Sequence, residues 1–246
     1  NPKSLGNNSI FAIEPAPDGT VWIGTYGGGL EHFDPRTGGF AHYAHDPNIP
    51  DSLANNVVLS LHAARDGALW IGTQDGLDRL DAATGGITHY KTDPDNPKSL
   101  PGNHIAAITQ DASGALWVGT LNGLARFNHA DQTFTRYTHS DQPASLSEDW
   151  VAQILQDHTG MFWVGTFSAG LNRFDPQTGI FKAYRYDPQT PGSLGNDSIL
   201  ALYESENGNL WVGTAGGGLN HYDPATDSFT VYREPEGLPN NVVYGI

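Results

Sequence analysis

The chain has 246 residues with 30 Gly, 16 Pro, no Cys and a formal net charge of −15. That length suits one large domain or two small ones, and the acidity argues against a nucleic-acid backbone or an anionic membrane surface as partner. The lack of cysteine excludes disulfides, thiol chemistry and cysteine–zinc sites, and no run reaches the ~18 apolar residues of a membrane span.

The chain opens on "NPKSL", residues 1–5, with no Met and no signal peptide. The same kind of segment recurs at residues 96–100, so the opening reads as the end of a crossing from a preceding repeat in a longer chain. Next comes Trp22 in W-[IV]-G-T, a motif repeated at Trp70, Trp117, Trp163 and Trp211 with spacings of 48, 47, 46 and 48. A period in the forties belongs to a propeller blade or a helical-pair solenoid. The local pattern is short, β-branched and alternating, with no 3.6 period over ten residues, so each repeat predicts four short strands, A to D.

The second repeat illustrates the rule. Strand A is expected over 57–63, B over 69–73, C over 77–80 and D over 86–90. The hairpin glycine between A and B recurs as Gly19, Gly67, Gly114, Gly160 and Gly208, where a tight turn needs positive φ. Repeats run approximately over 5–52, 53–99, 100–145, 146–193 and 194–237, and 238–246 begins a further strand A. The predicted fold is an all-β propeller of four-stranded antiparallel blades, with five complete repeats plus one extra inner strand.

Repeat length varies only in the B–C loop and the D-to-A crossing, which emerge at the same end of an antiparallel blade. Any specificity is expected there. On strand B the Trp is read as a wedge between blades, and the Gly two residues on as room for a neighbour. Trp22, Trp70, Trp117, Trp163 and Trp211 are therefore structural expectations, and Trp117→Ala should unfold the protein before altering binding. His32 and His221 share a strand-C slot with Arg79, Arg126 and Arg173 and read as structural too. Asp34, Asp175 and Asp223, each followed by Pro, are expected to cap C–D turns.

The position three after the "SL"-type Leu is always Asn or Asp: Asn8, Asn56, Asn103, Asp149, Asp197, Asn241. It either caps the crossing or lines a ligand mouth. The next residue varies, and at Trp150 it is the one tryptophan outside the repeat register. An aromatic face beside Glu148 and Asp149 suits a sugar, whose C–H face stacks while its hydroxyls donate. Candidate ligand-binding residues are Trp150, Tyr26, Phe167, Asp149, Asn56, His104, Asp197 and Asp75. No catalytic motif, metal-ligand spacing or cofactor fingerprint is present.

The stretches "DGTVWIGTYGGGLEHFDPRTGGFAHY" and "TGMFWVGTFSAGLNRFDPQTGIFKAY", with "DPxxPxSLxxN" after them, resemble the two-component regulator propeller repeat. The resemblance implies the extracytoplasmic input region of a bacterial hybrid histidine kinase or diguanylate cyclase, in the periplasm or outside the cell. It implies a larger ring of about seven blades, of which this would be a slice. Glycan sensing is a linked activity, and no catalytic residue carries over. The expected function is non-catalytic ligand sensing, with a small molecule or glycan as partner. Alternatives are a protein-interaction or self-assembling scaffold, associating through terminal strands, and a glycan-active hydrolase or lyase.

Overall fold

A computed structural model describes residues 4–81 and 83–246. Residues 1–3 of the expected opening crossing and Ala82 of the second C–D turn lie outside the described residues. The chain forms two compact units, Asn1–Leu121 with Ala125–Arg136, and Asn122–Leu124 with Tyr137–Ile246.

Five four-stranded antiparallel sheets follow one another along the chain, each in sequential strand order. Sheet 1 holds β1 (Ile10–Pro15), β2 (Val21–Thr25), β3 (Gly29–Asp34) and β4 (Gly39–Tyr43). Sheet 2 holds β5 (Val58–Ala63), β6 (Leu69–Thr73), β7 (Gly76–Leu80) and β8 (Ile87–Tyr90). Sheet 3 holds β9 (Ile105–Gln110), β10 (Leu116–Thr120), β11 (Gly123–Asn128) and β12 (Thr133–Tyr137). Sheet 4 holds β13 (Val151–Gln156), β14 (Phe162–Thr166), β15 (Leu171–Asp175) and β16 (Ile180–Tyr184). Sheet 5 holds β17 (Ile199–Glu204), β18 (Leu210–Thr214), β19 (Leu219–Asp223) and β20 (Ser228–Tyr232). These are the propeller blades that the period predicts. The hairpin glycines Gly19, Gly67, Gly114, Gly160 and Gly208 all have φ between 80° and 88°, a region that a side chain disfavours.

One expected element differs. Residues 238–246 form no strand: Val242 makes a single bridge to Ala215, and the Val243 N–H donates to the Thr214 carbonyl at 3.1 Å.

Within each unit the core lies between successive sheets. Trp70 is 1% exposed and packs with Leu100, Ile105, Leu116 and Phe127. Trp22 packs with Leu69, Ile71 and Leu80 of sheet 2, and Trp163 with Leu210, Val212 and Tyr222 of sheet 5. A Cβ on Gly72 would lie 2.8 Å from Ile105 Cγ2, and one on Gly165 2.5 Å from Ile199 Cγ2. The wedge and the gap are thus two halves of one inter-sheet contact. Trp211 is half-buried, with the His221 and Tyr232 rings against it.

The strand-C slot sits directly opposite the Trp, pairing Trp22 with His32, Trp70 with Arg79, Trp163 with Arg173 and Trp211 with His221. Each side chain covers an indole. His32 stacks at 3.8 Å, and the Arg79, Arg126 and Arg173 guanidinium carbons lie 5.6–5.8 Å from the ring centroids. A cation over an indole face adds ~0.5–2 kcal/mol.

A second polar device was not anticipated from sequence. The residue after the strand-C Leu is buried in every sheet: Glu31, Asp78, Ala125, Asn172 and Asn220. Four of them accept a backbone N–H from the incoming crossing, those of Gly6, Ala54, Ser147 and Gly195. The two acids face a histidine directly across on strand D, His42 and His89, where the asparagines face Ala183 and Val231. In sheet 3, Arg136 works from strand D instead, donating to the Ser99, Asn96 and Leu100 carbonyls.

The Asp78–His89 pair predicts a pH dependence. His89 Nε2 lies 2.9 Å from the Pro50 carbonyl, so it donates there, while Nδ1 lies 2.6 Å from Asp78 Oδ1. A proton must therefore reside between imidazole and carboxylate. Burial pushes Asp78 up. Burial is also the largest influence on His89 and opposes its charge, but the hydrogen bonds to Asp78 and the Pro50 carbonyl and the Asp78 charge together outweigh it and raise His89. With folded values above unfolded ones, the pair's contribution is present at low pH and is lost as pH rises through the folded values. Asp78→Asn, which installs the residue of sheets 4 and 5, is expected to flatten the fall of Tm above about pH 6.5. Identical Tm–pH curves for the two proteins from pH 6 to 9 would refute this.

Candidate functional site

The B–C loop and the start of strand A meet at one end of each sheet. The residue after W-x-G-T donates its N–H to the carbonyl of the residue just before strand A: Tyr26 to Ser9, Gln74 to Val57, Phe167 to Trp150, Ala215 to Ser198. Pairs of side chains are thereby set side by side, and their identity changes from blade to blade. In sheet 4 the pair is Trp150 and Phe167. Their rings stack with centroids 3.8 Å apart and planes 10° apart. Phe167 is 46% exposed and Trp150 half-buried.

The loop bearing Phe167 is clamped on both sides. Both carboxylate oxygens of Glu148 are engaged by Ser168, one by its N–H and one by its hydroxyl, each at 2.7 Å. The Gly170 N–H donates to the Asp197 carbonyl at 2.8 Å. Gly170 has φ of 83°, and a Cβ there would stand 2.1 Å from the Tyr184 carbonyl, so no other residue fits this turn. The aromatic pair is held rigidly, which lowers the ordering cost of docking against it.

The Asn/Asp position has a structural assignment. Side-chain Oδ1 of Asn56, Asn103, Asp149, Asp197 and Asn241 accepts the N–H of His45, Thr92, His139, Tyr186 and Glu234, which starts the preceding crossing. The carbonyls of the same residues accept a glycine N–H from the preceding B–C loop: Gly29, Gly76, Gly123, Gly170 and Gly218. Each is a latch holding crossing and loop together. Asn56, Asp149 and Asp197 are thus committed through one side-chain oxygen and the backbone carbonyl.

The other candidates, Tyr26, Asp75 and His104, belong to the first unit. Tyr26, 50% exposed, meets Phe11 at 5.3 Å. Asp75 pairs with Lys91 at 2.7 Å and accepts from Asn103 Nδ2 at 3.3 Å. His104 Nδ1 is buried without a partner, and burial lowers its pKa, so the ring is neutral at pH 7. Asp34, Asp175 and Asp223 cap their C–D turns as expected, through Arg36, Gln177 and Ala225 N–H. Among the described residues no three His, Asp or Glu side chains gather as metal ligands, and no helix is long and apolar enough to cross a membrane.

The family model described as two component regulator propeller matches residues 4–27, 52–75, 99–122 and 193–216. No curated protein matches in sequence. Among solved structures, the chain is similar to the extracellular domain of a protein described as a hybrid two component system from B. thetaiotaomicron. Identity is 26% and TM-score 0.80, covering 91% of this chain and 30% of that one. A second extracellular domain from B. thetaiotaomicron, described as a one component system, matches at 24% identity and TM-score 0.77, over 99% and 31%. The virginiamycin B lyase of Staphylococcus aureus shares the fold at 18% identity and TM-score 0.70, over 98% and 75%. The chain thus spans about 30% of the two extracellular domains it resembles.

Proposed function

Because four segments of this chain match the model described as two component regulator propeller, we propose that it is a non-catalytic, ligand-sensing propeller region acting outside the cytoplasm in a bacterial signalling protein. A carbohydrate docks at the loop end of sheet 4. The observation that carries this reading is the stacked Trp150–Phe167 pair. Its exposed outer surface offers a flat π-face for the C–H face of a sugar ring, and Glu148 holds the loop in place. Aromatic area that is already ordered supplies binding energy at low entropic cost.

Glycan-array screening, followed by calorimetry on any hit, tests the proposal. Phe167→Ala and Trp150→Ala are each expected to weaken the hit about tenfold or more, the loss typical of an aromatic anchor. Phe167→Ala, at an exposed position, should leave Tm within a few degrees. Unchanged affinity in both variants would remove the site from sheet 4, and an array without hits would remove the carbohydrate.

A further inference from the structure

Sheets 1 and 2 enclose a cavity of about 400 Å³ at the opposite end from the loops, between the A–B and C–D turns. The volume falls within the ~300–1,000 Å³ range of small-molecule sites. Its walls include Trp22, Tyr43, Ala64, Leu69 and Leu80, and its lining also takes in Asp18 and Asp81.

The cavity has an origin in the repeat. Three and ten residues after the strand-C Leu, four sheets carry two aromatic rings: Phe33 and Phe40, Phe127 and Phe134, Phe174 and Phe181, Tyr222 and Phe229. Sheet 2 carries Leu80 and Ile87. Where the ring is present it fills the space against the preceding tryptophan. Phe127 lies edge-on to Trp70 at 5.2 Å, and Tyr222 edge-on to Trp163 at 4.8 Å. Facing Trp22, Leu80 replaces that ring. A second substitution falls at the same place. The Trp117 and Trp163 N–H groups donate to Asp111 and Asp157, six residues earlier, at 2.9 Å. Six residues before Trp22 stands Ala16, part of the cavity lining.

Apolar and aromatic walls meet two carboxylates here. Thr20, through its hydroxyl and N–H, holds Asp18 below the usual carboxylate range, and the Thr84 and Ala83 N–H groups do the same for Asp81. Both are therefore charged at neutral pH. His32 also lines the cavity, its Nε2 2.6 Å from the Thr20 hydroxyl. The nearby guanidinium groups make their ion pairs with other carboxylates, Arg36 with Asp34 and Arg79 with Asp66, each at 2.9 Å, and add only weaker long-range attraction to Asp18 and Asp81. We propose that this cavity between sheets 1 and 2 is a second binding site, for a small molecule with an apolar or aromatic body and a cationic amine. It stands independently of the carbohydrate reading, which concerns sheet 4.

Tyramine is the probe, with 4-ethylphenol as its neutral relative and 3-(4-hydroxyphenyl)propionate as its anionic one, titrated by calorimetry and ligand-observed NMR. Tyramine should bind best and the anion worst. Leu80→Phe, which restores the ring of the other sheets, should weaken tyramine at least about tenfold without lowering Tm, since it fills an existing void. The double variant Asp18→Asn/Asp81→Asn, which leaves the packing alone, should weaken tyramine about three- to fivefold and leave 4-ethylphenol unchanged, as expected of solvent-exposed charges. The proposal is overturned if tyramine shows no saturable binding up to about 10 mM, the weak limit for a fragment. It is equally overturned if Leu80→Phe binds as well as the parent, or if the anion binds as tightly as the amine.

Discussion

Trp163→Ala is expected to lower the free energy of unfolding by about 3–5 kcal/mol, the cost of deleting a large buried aromatic. Trp163 is 1% exposed. It touches Tyr222 at 4.8 Å and Tyr184 at 5.8 Å, lies under the Arg173 guanidinium at 5.6 Å, and donates its N–H to Asp157 at 2.9 Å. Truncation removes all four contacts and opens a hole that the flanking sheets cannot close without breaking ladder hydrogen bonds. Urea titration followed by far-UV circular dichroism measures the loss. Trp163→Phe should cost less, because a ring remains. A loss below about 1 kcal/mol for the alanine variant would show that sheets 4 and 5 cohere through something else.

The second large effect is expected at Asn172. Its Oδ1 accepts the Ser147 N–H at 3.0 Å, and its Nδ2 donates to Ser147 Oγ at 2.8 Å and to the Val164 carbonyl at 3.3 Å. Asn172→Ala strands these partners in a buried setting and should cost about 2–4 kcal/mol, since each unsatisfied group costs about 1–3. Asn172→Asp tests the logic further. Sheet 2 tolerates an acid at this position because His89 stands across from it, whereas sheet 4 has Ala183 there. The acid alone should therefore destabilise, and Ala183→His should recover much of the loss in a double-mutant cycle. Additive effects would separate the two positions.

The two predictions differ in how legible they were. Trp163, Gly165 and Gly160 announce themselves by recurring at fixed offsets, because blade packing demands the same shape five times. Strand B of the second repeat therefore falls where expected, at Leu69–Thr73. Strand A begins one residue late, at Val58, because Val57 instead bridges Tyr26 of the sheet before it, and its pairing with strand B shifts register between Val58 and Ser60, a bulge that leaves no mark on alternation. The buried strand-C position is harder to see, since its identity changes from Glu31 to Asp78 to Asn172 and only its job is constant. A signal did exist: both acids have a histidine eleven positions on, at His42 and His89. At the loop end, the Trp150–Phe167 contact follows from the repeat once the loop residue is paired with the strand-A start. The Glu148–Ser168 clamp depends on loop conformation, which composition does not encode.

The latch at Asn56, Asn103 and Asp197 bears on how such a protein is divided. Each latch carbonyl holds a glycine of the sheet before it, and the Val or Ile two residues on fills that sheet's glycine gap, as Ile105 does for Gly72. A blade excised at its repeat boundary therefore leaves its lock behind in the next repeat. The smallest transplantable module is offset from the smallest repeating one, and extends through the opening residues of its successor. Grafting the Trp150–Phe167 pair onto another propeller would accordingly require carrying Asp197 and Ile199 along with sheet 4.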